Sequence, residues 1–255
     1  MFGSRRIVTG AALALAASAP SLAHAQQPVV DSVGIATSAS GSRTIVVVKA
    51  ANVAFSVTVR AKAEVSAVLR SPRSTSPHVD DEGVLRATAE GDTVRIELAR
   101  ALHALYHLEL GVPPGAALRI AGDNGGEVRV EGVRGSAEVT HSNGGVTVLD
   151  ASGYAIVATS NGHIRVRLIA VERGVPMSFI TSNGDIDLTM PADVRATLLI
   201  DDSTVLRSDF PLASDTTGTR EPGRARSRLR RLAVNGGGPT IRLFTNNGIV
   251  RFHRL

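Results

Sequence analysis

The stretch whose reading decides the fold is "FITSNGDIDLTMP", residues 179–191. It places a turn dipeptide, Asn183-Gly184, ahead of a strict alternation. Ile186, Leu188 and Met190 fall on one side, and Asp185, Asp187 and Thr189 on the other. A period of two is the signature of a half-buried β-strand. Taken alone, the pattern predicts one strand after one turn.

The pattern recurs. Aligned on the first apolar residue after each turn, "GGEVRVEG", "NGGVTVLD", "NGHIRVRL" and "NGDIDLTM" give Val128, Val146, Ile164 and Ile186, in steps of 18, 18 and 22 residues. A degenerate copy, "DSTVLRSD", follows at Val205, and "NNGIVRFH" closes the series at Val250. A second strand precedes each turn, in "ALRIAGD", "GSAEVTHS", "GYAIVATS" and "PMSFITS". Each unit is thus two short strands and two corners. Such a unit cannot bury its apolar side alone, but a stack of them can. The expected fold is all-β: a single-stranded, two-sided β-solenoid (β-helix-like) with about 18–22 residues per coil, preceded by an irregular β N-terminal cap.

The inward rows are expected to be Val128, Val130, Val146, Val148, Ile164, Val166, Ile186 and Leu188 from one strand set, and Ala137, Val139, Ala155, Val157, Met177 and Phe179 from the other. The corners form a turn ladder: Asn143-Gly144, Asn161-Gly162, Asn183-Gly184 and Asn247-Gly248. Glycine there, and at Gly126, is expected to supply positive φ. Asparagine tolerates the left-handed region, and stacked asparagines can pair along the axis.

Composition frames this core. The chain of 255 residues has no Cys and no Trp, so disulfides, thiol catalysis and cysteine metal sites are excluded. "MFGSRRIVTGAALALAASAPSLAHA" has a basic start, a short apolar run and a small-x-small end, the pattern of a secretory signal cleaved after Ala25. Ser4-Arg5-Arg6 also touches the twin-arginine pattern, but the residues after it fit poorly. The expected organisation is a signal peptide at 1–25, an N-terminal β region at 26–112, repeats at 113–210, an Arg-rich loop at 211–233 and a final coil at 234–255. Within the cap, "LARALHAL" at 98–105 has helical spacing. Without the signal, 26 basic residues face 23 acidic ones, net +3. The excess is local: "REPGRARSRLRR", 220–231, holds Arg220, Arg224, Arg226, Arg228, Arg230 and Arg231.

Residues 106–255, and more loosely 43–105, resemble the bacterial putative-adhesin family of exported β-strand-repeat proteins. The resemblance is carried by "VPPG", the repeated "TSNG", "SDFP" and the terminal "NGGGPTIRL". It implies an exported, β-solenoid-like, non-enzymatic envelope protein. The chain departs from the family pattern at Gly125, at Asp202-Ser203 and in the Arg-dense loop.

Each candidate for chemistry has a plainer reading. The Ser-Asn-Gly corners lack the Gly-Gly-x-Gly-x-Asp repeat of calcium-binding β-rolls, so they read as turn geometry. His103 and His107 stand four apart, but Ala104 occupies the place where a zinc hydrolase carries Glu. Asp80-Asp81-Glu82 and Asp201-Asp202 are acidic pairs in loops. The outward rows Glu127, Gly145, His163, Asp185 and Arg129, Thr147, Arg165, Asp187 read as solvated surface. The arginine loop suits phosphate or carboxylate contacts, or is a soluble insertion. No catalytic residue, metal site or cofactor is expected. The expected partner is an envelope or surface component, whether protein, glycan or anionic lipid, and nucleic acid is not expected. The expected function is a non-catalytic envelope scaffold or adhesin-like surface. The alternatives are a glycan-acting β-helix enzyme or an envelope sensory module.

Overall fold

The computed structural model describes residues 27–37, 44–61, 63–71, 84–98, 105–214 and 229–255. The signal segment, Asp80-Asp81-Glu82, His103, and Arg220 to Arg228 lie outside the described residues. So does most of the 98–105 stretch, of which Leu98 ends a strand.

The described chain is all-β, in two large mixed sheets that do not close into a barrel. The first strands are β1 (Val29–Ala36), β2 (Ile45–Ala51), β3 (Val53–Val59), β4 (Glu64–Arg70), β5 (Leu85–Glu90), β6 (Thr93–Leu98) and β7 (Tyr106–Val112). The repeats supply β8 (Ala117–Asp123), β9 (Val128–Glu131), β10 (Ala137–Asn143), β11 (Val146–Gly153), β12 (Ala155–Asn161), β13 (Ile164–Val171), β14 (Met177–Asn183) and β15 (Ile186–Met190). The remainder are β16 (Ala196–Asp201), β17 (Val205–Ser208), β18 (Leu212–Ser214), β19 (Leu229–Val234), β20 (Thr240–Asn247) and β21 (Ile249–Arg254). β18 and all of β19 but its last residue, Val234, thus fall in the stretch expected as a loop.

Sheet A runs β1-β4-β7-β3-β9-β11-β13-β15-β21-β17, and sheet B runs β18-β19-β16-β20-β14-β12-β10-β8-β2-β6-β5. From β8 to β15 the chain alternates between the sheets; β8 and β9 pair in parallel with β2 and β3, and from β10 on each strand pairs in parallel with the strand two before it. The register keeps like on like: Val128, Val146, Ile164 and Ile186 are successive partners, as are Ala137 and Ala155. Antiparallel pairs occur only toward the ends.

Every expected inward residue is buried, and Val128, Val146, Ile164, Phe179, Ile186 and Leu188 are fully so. Each such side chain contributes roughly 1.5–3 kcal/mol by leaving water. The core also takes more aromatic volume than a narrow stack implies. Phe55, Phe179 and Phe252 are wholly buried, and Phe210 stacks on Phe252 with centroids 4.6 Å apart.

Two expectations are corrected. The strand at Val250 does not follow the copy at Val205. β21 pairs directly on β15, with Ile186 against Val250, and β17 lies outside it at the sheet edge. Within β17, Leu206 rather than Val205 aligns with Val250, and Val205 is 54% exposed. At the other end, β1 and β5 close the two sheets together. One carboxylate oxygen of Asp31 accepts from the backbone N–H groups of Val84 (2.6 Å) and Leu85 (2.7 Å). Tying the two edges in this way removes an open template for strand addition.

Candidate functional site

The Ser-Asn-Gly corner is a set of three ladders. Asn143 donates its amide to Asn124 (2.9 Å), Asn161 to Asn143 (2.8 Å), Asn183 to Asn161 (2.7 Å) and Asn247 to Asn183 (2.7 Å). Two residues before each of these asparagines, a buried side chain reaches the glycine carbonyl of the preceding corner. Thr159 donates to Gly144 (3.0 Å), Thr181 to Gly162 (3.0 Å) and Thr245 to Gly184 (2.8 Å). His141 takes that place in the first repeat, 2.8 Å from the Gly126 carbonyl. The carbonyl can only accept, so the ring carries its proton on Nε2.

The third ladder is steric. A Cβ on Gly144, Gly162, Gly184 or Gly248 would overlap the carbonyl of the glycine one rung below. This corrects the expected reason for glycine. Of the corner glycines, only Gly144 (φ 139°) and Gly184 (φ 154°) have positive φ, and the requirement common to all is close approach. It also corrects the asparagines. Among the described residues the left-handed non-glycine ones are Asn52, Asn124, Asp150 and Asn235, none of them a member of the four Asn-Gly corners.

Beside this corner, the outward face of sheet A holds a cluster of ion pairs. Asp187 pairs in register with Arg165 on one side and Arg251 on the other. Arg251 reaches both Asp185 (2.9 Å) and Asp187 (3.1 Å) through one nitrogen, and Arg165 lies 3.9 Å from Asp187. Asp185 also accepts the backbone N–H of Ile249 (3.0 Å), and its own N–H donates to His163 Nδ1 (3.0 Å). The Ile249 N–H, followed by the Arg251 guanidinium, holds the Asp185 carboxyl below the usual carboxylate range. These two aspartates are therefore structural anchors as well as surface residues. Arg251 is the group that sequence reasoning missed. It becomes visible when "NNGIVRFH" is set directly after "NGDIDLTM", because Arg251 then falls opposite Asp187.

The remaining candidates lie away from this cluster, and two of them, Asp202 and Arg230, meet. His107 lies on β7 beside Arg70 and Ala54, and among the described residues no three His, Asp or Glu side chains are grouped to hold a metal. Asp201 turns back on its own loop, accepting from the Ser203 hydroxyl (2.5 Å) and N–H (2.9 Å), which lower its pKa. Of the arginine segment, Arg230 donates to the Thr204 carbonyl (2.7 Å) and faces Asp202 at 3.6 Å. Arg231 pairs across to Leu199. An open hollow of about 400 Å³ on sheet B, lined in part by Lys49, Leu98 and Asp123, lies on other strands from the charge cluster.

No protein-family model and no curated protein matches the chain. The solved structure of a "putative cell adhesion protein" from Clostridium sporogenes matches 88% of this chain and 99% of its own, with TM-score 0.52 and 6% identity. A "putative adhesin" from Bacteroides fragilis aligns over 88% of this chain and 96% of its own, with TM-score 0.28 and 11% identity. The first shares the overall all-β fold. The adhesin resemblance drawn from the repeated motifs thus has a counterpart in fold, without support from a family model.

Proposed function

We propose that the chain is an exported, non-catalytic envelope protein, a two-sided β-solenoid of about 18–22 residues per coil that works as an adhesin-like interaction scaffold. After cleavage near Ala25 it would stand in the periplasm or at the cell surface. The observation that carries the reading is how the repeated residues are used. Asn, Gly and Thr of each corner are spent on holding the next rung, so recognition is left to the outward rows. Those rows, Arg129, Thr147, Arg165, Asp187 and Arg251 on sheet A, form a regular mixed-charge surface suited to a polar or anionic envelope component. The Arg-rich segment that ends at Arg231 adds positive charge and favours phosphate or carboxylate groups.

The glycan-cleaving alternative needs a carboxylic acid whose proton is retained near neutral pH. Asp185 is pushed the other way by Ile249 and Arg251. A glycan and anionic-lipid array, read at two salt concentrations, tests the proposal. Binding that weakens with salt supports it. Absence of binding to every envelope component, or release of cleaved glycan, overturns it. Replacing all six loop arginines by Gln separates the loop from the sheet face. Unchanged binding would remove the loop from the contact surface.

A further inference from the structure

The two outer faces of the molecule differ. Sheet A carries the charge cluster, whereas the centre of sheet B is almost uncharged. In one register row the outward residues of sheet B run Arg119, Glu138, Ile156, Ser178 and Arg242 across β8, β10, β12, β14 and β20. Two residues along, the next row runs Thr140, Ala158, Ile180 and Phe244. Ile156 is 39% exposed, and Ala158, Ile180 and Phe244 are half-buried. The patch between Glu138 and Arg242 therefore consists of Ile, Ala, Phe, Ser and Thr, with one charge at each end and of opposite sign. A contiguous apolar patch rimmed by polar groups marks an interaction site.

From this arrangement we infer that sheet B docks face to face on sheet B of a second copy. The argument is symmetry. A two-fold axis running along the strands, between β12 and β14, reverses the strand order and preserves position along each strand. β10 of one copy then faces β20 of the other, and β12 faces β14. Glu138 and Arg242 occupy the same row, three strand spacings (about 14 Å) apart and equidistant from that axis. Each Glu138 therefore meets the other copy's Arg242, twice over. Within the patch, Ala158 meets Ile180, and Thr140 meets Phe244. Few charged patches are self-complementary about an axis, and this property is what an isologous contact demands.

The charges are placed to use it. Arg242 is exposed and makes no ion pair or hydrogen bond with any described residue. Glu138 is oriented by the Tyr154 hydroxyl (2.9 Å) and by Arg119 (3.2 Å), with its carboxylate still partly open. Sheets packed face to face lie about 10 Å apart, a distance that interdigitated Ile and Phe side chains fill. A patch four to six strands wide is smaller than a standard permanent interface, so the dimer is a reversible one. This inference does not depend on the proposed function, and it leaves sheet A free.

Sedimentation velocity over a concentration series tests it. The wild-type chain is expected to pass from monomer to dimer as concentration rises. Arg242→Glu sets Glu against Glu, and Glu138→Arg sets Arg against Arg. Each is expected to weaken dimerisation at least tenfold, by about 1.4 kcal/mol. The double swap, Glu138→Arg with Arg242→Glu, restores the opposition and is expected to restore the dimer. Arg242→Glu is the cleaner single variant, because it removes no contact within the chain. Phe244→Asp should abolish association. Thermal melts matched to wild type show that each variant is folded. A wild-type chain that stays monomeric at every concentration overturns the proposal. So does a dimer indifferent to the single reversals, or one that the double swap fails to rescue.

Discussion

Thr181 shows how much of each repeat is committed to structure. Its side chain is fully buried, and its hydroxyl satisfies the carbonyl of Gly162. Thr181→Val keeps the shape and removes the donor, leaving a buried carbonyl unpaired. It should cost about 1–3 kcal/mol in chemical denaturation. Thr181→Ser, which keeps the donor, should cost less. Asp185 gives a pH signature. Its carboxyl pKa lies below the ordinary value because the folded state supplies the Ile249 N–H and Arg251. The stabilisation is therefore complete above the unfolded pKa, near 3.8, and is lost as pH falls through the lower folded value. NMR titration should find the Asp185 midpoint below 3.8 in the wild-type chain. In Arg251→Gln it should move upward, with the Ile249 bond keeping part of the shift.

At the scale of the strand, the corner glycines set the spacing between rungs. Gly162→Ala would drive a methyl group into the carbonyl of Gly144. Overpacking of this kind costs about 1–3 kcal/mol, and here the obstacle is backbone that belongs to two sheets. Thermal unfolding of Gly162→Ala against Ser160→Ala, an exposed site in the same corner, checks this. The strand interiors were legible in the sequence because a period of two divides buried from exposed without ambiguity. Ile186, Leu188, Val146 and Val148 all lie inside as read. The order of the last strands was not legible from similarity along the chain. Its physical reason lies in the corners. In the observed register of β17 on β21, Ser203-Thr204 stands where the neighbouring rung has Asn247-Gly248. Set between two Asn-Gly corners, the copy at Val205 would break the amide ladder and place side chains where only hydrogen fits. It therefore takes the edge, and the later strand pair β20–β21 carries the ladder onward from β14–β15.

At the scale of the molecule, this order makes the C-terminal segment part of the interior of the stack. Phe252 is fully buried, stacked on Phe210 and paired in register with Leu188. A chain truncated after Asn235 would lose β20 and β21. It would expose the inner edges of both sheets and leave β16 and β17 without their parallel partners. Circular dichroism and a loss of the cooperative melt should report this as a global defect. Refolding should also be slow, because β15 must find β21 across more than fifty intervening residues, and non-local parallel pairing is costly to nucleate. The candidate contact faces were less legible than the core. The sequence places charges on outward positions, but which charges meet is decided by strand order. Arg251 joined Asp185 and Asp187 only once β21 stood beside β15.

The amide ladder has a consequence for chemical ageing. Asn-Gly is the pair in which a backbone nitrogen most readily attacks the neighbouring carboxamide, expelling ammonia to give a succinimide that water opens to aspartate or isoaspartate. At 144, 162 and 184 that nitrogen is occupied, because each glycine N–H donates to the asparagine carbonyl of the following rung. The carboxamides of Asn143, Asn161 and Asn183 are each gripped from both sides. Asn247 is held from one side only, and among the described residues no further asparagine continues the ladder beyond it. Peptide mapping after prolonged mildly alkaline incubation should find conversion at Asn247 well before Asn161. The stacking that orders the rungs would thus also shelter their most perishable bonds, leaving the last one to record the age of the molecule.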